Sequence, residues 1–176
     1  EVQCGLGRTG KLWGHELYGV EPDIMTLAKP LAGGMPIGAC LLKQHVADAM
    51  APGDHGSTFA GNPLVCATAC TVFDIVNDPA FLSSISAKGE KIKSGLKAVT
   101  EGNPHVKDVR GVGLLVGVQL DQPAGPVVNA CRDMGVLAIT AGAGDVLRLV
   151  PPLVLTDEDI DEAVEVIGKA IASCTA

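Results

Sequence analysis

The chain has 176 residues, 47% of them hydrophobic and only 3% aromatic, with a formal net charge of −7. A mean hydropathy of +0.33 excludes a disordered tail, and the length suffices for one domain, or a domain and a half, with a substantial core. An acidic balance without clustered Lys and Arg excludes a nucleic-acid binder, and the scarcity of aromatic rings removes base-stacking platforms. Apolar runs are short and broken by Gly, Pro or charge, so no membrane-spanning helix is predicted. Nor is there a basic amphipathic helix for membrane attachment. The apolar mass of Ala, Val, Leu, Ile and Gly suits α/β layers packed on small side chains.

In chain order, Gly5-Leu6-Gly7-Arg8-Thr9-Gly10 has the form G-x-G-x-x-G but not its context. Lys11-Leu12-Trp13-Gly14-His15 opens a helix poorly and Leu31-Ala32-Gly33 supplies no acid at the required distance, so a dinucleotide loop is rejected. Asp23 to Ala28 and Ile37 to Lys43 read as strands, with a lysine-bearing loop between them. Asn62-Pro63 opens a helix through Ile75, since Asn caps well and Pro fits a first turn. Asn77-Asp78-Pro79 punctuates, and a second helix runs from about Pro79 to Thr100 with Lys88, Glu90, Lys91, Lys93 and Lys97 on a polar face. Gly102-Asn103-Pro104 ends it, and Val106 to Leu120 reads as a β-rich run with glycines.

A helix from Pro126 to Met134, a strand from Val136 to Thr140 and a short strand at Arg148-Leu149-Val150 follow, the last stopped by Pro151-Pro152. The final helix starts at Thr156, where Thr156 with Asp159 forms a capping-box-like signal and Asp157-Glu158-Asp159 suits the helix dipole. Strands with interleaved helices give an α/β layered fold, with a boundary expected near residues 78 to 84.

The candidate chemistry begins at Lys29, the only charge between Asp23 and Lys43. An ammonium among apolar residues is costly unless compensated, and desolvation favours the neutral amine that attacks a carbonyl to form a Schiff base. Gly33-Gly34 and Gly38 leave room for backbone to approach a flat ligand. The plainer alternative is a lysine that snorkels to water from a strand end. Ser57-Thr58 precede a helix entry, where hydroxyls and backbone N–H groups suit a phosphate or simply cap the helix. Arg148 offers a fork for a carboxylate, or a surface salt bridge with Asp145 nearby.

His15, His45, His55 and His105 are too dispersed for a local metal site, and no nucleophile elbow or reactive-cysteine signature occurs. The cysteines (Cys4, Cys40, Cys66, Cys70, Cys131 and Cys174) are scattered without C-x-x-C pairs and read as reduced thiols.

Five blocks occur in a familiar order: Glu1-Val2-Gln3 followed by the Gly5–Gly10 loop, Thr26 to Ala39, His55 to Pro63, and Arg148 to Leu153. Together they resemble the second half of a class III (subgroup II) pyridoxal-phosphate aminotransferase. Within the family, the likeness is greatest to members acting on N2-acetylornithine. The resemblance implies a fold type I fragment, with residues 1–80 as the latter part of the large cofactor domain and 81–176 as the small C-terminal α/β domain. It implies Lys29 as the cofactor-bearing lysine, Gln3 near the ring's phenolic oxygen, and Ser57 and Thr58 at the phosphate. Thr58 would reach the cofactor of a neighbouring subunit, giving a homodimer with shared active sites. Arg148 would hold a substrate carboxylate. The family's ring-nitrogen Asp would precede residue 1, which weakens the electron sink.

The implied reaction passes an amino group from N2-acetylornithine to 2-oxoglutarate in arginine biosynthesis. Ornithine, 4-aminobutyrate and succinylated diamines are the alternative donors. Family members are considerably longer, so a fragment that folds without catalysis and acts at most in assembly is the other expectation. The chain starts at Glu1 with no targeting segment in view, and the wording of Thr26 to Gly34 resembles plastid forms, with cytoplasm or mitochondrion as alternatives.

Overall fold

A computed structural model describes residues 1–175, which divide into two compact units, the first Glu1–Ser83 and the second beginning at Ser84. In the first unit, residues 1–13 run through turns into a 3-10 helix, Gly14–Tyr18, which Gly19 ends at φ +62. Strands β1 (Ile24–Leu27) and β2 (Ala39–Leu42) pair antiparallel, Ile24 opposite Leu42 and Leu27 opposite Ala39. The short helix α1 (Gln44–Ala47) and a loop lead to α2 (Pro63–Val76). The Asn62 side chain accepts hydrogen bonds from the Leu64 and Val65 amides at 3.0 and 3.4 Å, which satisfies N–H groups at the start of α2. Asp78 does the same for Ala80 and Phe81 at the entry to α3 (Pro79–Val99), within which the division between the units falls. Leu6, Leu27, Leu31 and Val76 form the buried core, flanked by Val72, Trp13 and Phe73, whose rings tilt at a centroid separation of 6.3 Å.

The second unit is a four-stranded sheet in the order β3 (Val106–Val112), β4 (Leu115–Leu120), β6 (Val146–Leu149), β5 (Ile139–Ala141), antiparallel throughout. Helices α4 (Gly125–Asp133) and α5 (Asp157–Cys174) complete it. Alternation explains the one-sided core: Val116, Val118, Leu120 and Leu147 are buried, and Ile85, Ile92 and Leu96 of α3 and Ile160, Ile167 and Ile171 of α5 are buried with them. Thr156 caps α5, its hydroxyl accepting from the Asp159 amide while Asp159 Oδ2 accepts from the Thr156 amide at 2.7 Å.

One expectation changes. The strand expected from Val136 begins only at Ile139, because the amides of Met134, Gly135 and Val136 donate back to carbonyls of Ala130, Arg132 and Cys131 and close α4. Gly135, at φ +90, makes that reversal possible. The polar face of α3 reaches neighbouring elements. Lys93 Nζ donates to the Gly111 carbonyl at 3.0 Å, Lys88 to that of Leu153, and Lys91 bridges Asp157 and Asp161 of α5, which raises its pKa. Among the described residues no single helix is long and apolar enough to cross a membrane.

Candidate functional site

Lys29 sits on the turn that leaves β1, directly beyond the four-pair ladder with β2. Leu27, Leu31 and Ala32 on either side are buried, whereas Lys29 is exposed. The desolvation expected from its apolar neighbours is therefore absent in this chain: they turn into the core and Lys29 turns away from it. Its ammonium takes part in none of the hydrogen bonds or ion pairs of the described residues. The turn is built by Leu31, Gly33 and Met35 amides donating to Ala28, Pro30 and Ala32 carbonyls. Gly34, at φ +110, supplies a conformation that side-chain-bearing residues rarely adopt, and nothing lies within 4 Å of where its Cβ would stand.

The segment after this turn, Pro36 to Ala39, shares a cavity of about 390 Å³ with Ser57, Phe59 to Asn62, Val65 and Cys66. Ser57 thus comes to the mouth of α2 beside the strand that follows the lysine turn. Thr58 and Lys29 do not line this cavity. Gln3 lies exposed in the N-terminal turns, where it has a partner. Arg148 belongs to the second unit: it is half-buried in β6, opposite Gly117 of β4 and Ile139 of β5. It is the one charged residue lining an otherwise apolar cavity of about 340 Å³ that also includes Ile92, Leu137, Pro151, Leu155 and Ile160.

One constituent escaped the sequence reading. The Glu1 carboxylate accepts hydrogen bonds from the Gly14 and His15 amides at 2.8 and 2.9 Å, pinning the N-terminal turns to the 3-10 helix. Gly5 and Gly14 are obligatory there, since a Cβ on either would come within 2.9 Å of Glu1 or Cys4. A lone Glu thirteen residues ahead of an unpromising helix start carries no local sequence signal for this role.

Taken separately, Lys29 offers a primary amine that makes no hydrogen bond or ion pair among the described residues, and Ser57 a hydroxyl in a cavity at a capped helix entry. These groups suit the aldehyde and the phosphate of an aldehyde-bearing phosphate ester. Both oxygens of Glu1 are taken by backbone amides, so that carboxylate is committed to the N-terminal turns. Ser57 would hold the phosphate and Lys29 the aldehyde carbon.

Comparison with known proteins defines the class. The aminotransferase class-III family model matches residues 1–171, and the chain belongs to that family. The family is one of pyridoxal-phosphate-dependent enzymes, and the fold is that of a part of such an aminotransferase. Among its relatives is a mitochondrial acetylornithine aminotransferase of Alnus glutinosa, 58% identical over 171 residues, covering 97% of this chain and 38% of the relative. The solved acetylornithine aminotransferase of Elizabethkingia anophelis superposes with a TM-score of 0.87 at 37% identity, covering 98% of this chain and 46% of that one. The ornithine aminotransferase of Toxoplasma gondii, crystallised with oxidised glutathione and partly occupied by pyridoxal phosphate at its active site, gives 0.90 at 36% identity, covering 98% and 42%. The chain therefore spans less than half the length of these relatives.

Proposed function

We propose that this chain carries the cofactor-holding lysine and the carboxylate-binding arginine of an enzyme that moves an amino group from N2-acetylornithine to 2-oxoglutarate. The observation that carries the reading is Lys29: a partnerless amine presented on the turn between two paired strands, inside a family match that spans the chain. When bound, pyridoxal phosphate would supply an electron-withdrawing ring that acidifies the C–H bond of the carbon bearing the transferred amine. Lys29 would hold the cofactor through its amine, and the same amine would serve as the general acid and base that moves a proton from and to the substrate carbon. Ser57 and Thr58 hold the phosphate with their hydroxyls, Thr58 toward the neighbouring subunit of a homodimer. Gln3 donates to the ring oxygen. Arg148 binds the α-carboxylate through its planar fork.

The donor is assigned as N2-acetylornithine on the strength of the relatives at 45–58% identity. Ornithine is the second reading, favoured by the superposition on ornithine aminotransferases. Residues 1–80 are assigned to the latter part of the large cofactor domain and residues 81–176 to the small one. For localisation, the Thr26–Gly34 wording supports a plastid, the names of the Alnus and Dictyostelium relatives support the mitochondrion, and the cytoplasm is the remaining alternative. Taken alone, this stretch binds the cofactor weakly, because Lys29 is exposed to solvent.

The test is borohydride reduction in the presence of pyridoxal phosphate, followed by peptide mapping of both this chain and the assembled enzyme. A stable adduct on Lys29 in the assembled enzyme, lost in Lys29→Ala, is expected. An adduct elsewhere, or none, overturns the assignment.

A further inference from the structure

Two cysteines stand on one helix, and no step above uses them. Cys66 and Cys70 lie four residues apart in α2, where side chains at i and i+4 are neighbours on the same face. Both thiols are free, Cys70 exposed and Cys66 half-buried. The helix is held by a different face: Val65 and Val76 are buried, and Ala69, Val72 and Phe73 pack against the core of the first unit. At 3.6 residues per turn those anchors centre about 100° round the helix from the two cysteines. The thiols are therefore presented on a rigid element without being part of what secures it.

The spacing decides what the pair can do. A disulfide needs Cβ atoms about 3.5–4.5 Å apart, whereas i,i+4 neighbours on a helix stand about 5–6 Å apart. Closing that bond would distort α2 in its middle. An ion held between two sulfurs asks for something different. With metal–sulfur bonds of about 2.3 Å, a linear pair spans about 4.6 Å from sulfur to sulfur, and thiols on successive turns reach this by rotating about their own side-chain bonds.

Among the described residues no group of three or more His, Cys, Asp or Glu is placed to hold a metal. That removes ions requiring four protein donors, as structural zinc does, and leaves soft ions satisfied by two thiolates. Cys66 also lines the cavity of about 390 Å³ that contains Ser57 and Asn62, while Cys70 is open to solvent, so the pair is accessible. We propose that Cys66 and Cys70 form a two-sulfur clamp for a soft, two-coordinate ion of the Cu(I), Ag(I) and Hg(II) class. Binding forms two metal–sulfur bonds, releases the proton of each thiol to solvent and changes no oxidation state. The clamp is independent of the role assigned to Lys29.

The test is anaerobic competition between the reduced chain and bicinchoninate for Cu(I), read as loss of visible absorbance from the bicinchoninate complex. The unaltered chain is expected to withdraw one equivalent. Cys66→Ala and Cys70→Ala should each weaken that site by about 100-fold, because the second sulfur acts at high effective concentration only once the first is bound. Alanine favours helix, so both variants should keep the circular dichroism of the unaltered chain. No withdrawal by the unaltered chain overturns the proposal, as does a single variant that binds as tightly as it does.

Two further measurements keep the outcome decisive. Iodoacetamide footprinting by mass spectrometry needs no variant: one equivalent of Cu(I) should protect Cys66 and Cys70 and leave the exposed Cys4 and Cys40 reactive. Protection of Cys4 and Cys40 in their place overturns the clamp. Combining Cys70→Ala with Thr71→Cys keeps six thiols but turns the second one about 140° round the helix from Cys66. That variant should lose the one-equivalent site; if it binds undiminished, thiol number rather than helical placement governs binding and the proposal fails.

Discussion

Replacing Gly89 with Ala puts two opposed effects on the same methyl group. Gly89 lies buried in the middle of α3, where Ala is favoured over Gly by about 1 kcal/mol of helix propensity. The added Cβ, however, would stand 2.2 Å from the Gly113 carbonyl oxygen and 2.6 Å from its carbon, in the turn between β3 and β4. Both obstacles are backbone, so no side-chain rotation relieves them. The turn would have to retreat by about 1.2 Å to reach ordinary contact, which also strains the Lys93 bond to Gly111.

Overpacking of this kind costs up to about 3 kcal/mol, so the net effect is about 2 kcal/mol of destabilisation. For a unit of this size that is a fall of about 8–16 °C in melting temperature. Two other helical glycines serve as controls: a Cβ at Gly95 meets only the Val164 side chain, at 3.1 Å, and one at Gly125 meets nothing within 4 Å. Thermal melts followed by circular dichroism should rank the Ala variants Gly125, Gly95, Gly89 from most to least stable. A Gly89→Ala melting temperature equal to or above that of the unaltered chain would refute the reasoning, since propensity would then outweigh the close approach of helix and turn.

Other outcomes follow from the same structure. Thr156→Ala removes the hydroxyl that accepts from the Asp159 amide and should cost about 1 kcal/mol by urea denaturation, with an unchanged slope. Hydrogen bonds from Thr156, the backbone N–H foremost, hold the Asp159 carboxyl below its usual value, and Lys107 and then His105 do so for Asp121. A depressed folded-state pKa means the unfolded chain takes up protons first. Stability should therefore be level above about pH 5 and decline as the pH falls through and below the usual carboxylate range near 4; Asp159→Asn should flatten that decline in acid titrations of the melting temperature. Burial, with a smaller effect from Cys174, pushes the Cys131 thiol up. Brief iodoacetamide treatment of the native chain at mildly alkaline pH should label exposed Cys4, Cys40 and Cys70 and spare Cys131 by mass spectrometry; early labelling of Cys131 would contradict its burial.

Features governed by neighbours in sequence were readable from residues alone. Asn62-Pro63 and Thr156 with Asp159 mark the helix starts because capping is a matter of two to three residues. The strands around Lys29 likewise follow from an apolar run on each side of a Gly-rich loop. The end of α4 was harder: Val136 to Ala138 have strand composition, but their neighbouring amides are spent closing the helix. The roles of Glu1 and the α3 lysines depend on partners 13 to 66 positions away, which no local pattern encodes. Lys29 shows the same limit in reverse. Its apolar neighbours suggest burial, yet a tight turn points consecutive side chains in different directions.

Exposed apolar side chains in both units bear on the life of the protein in a cell. Tyr18, Phe59 and Leu64 in the first unit are 80%, 81% and 67% exposed, and Leu137 and Val154 in the second are 83% and 73%. Such residues are what chaperones and degradation machinery survey, and a chain that displays them is held or destroyed while one that has covered them is ignored. Polar replacements at Phe59 and Leu64 should therefore lengthen the intracellular half-life of this chain, as followed by pulse-chase labelling.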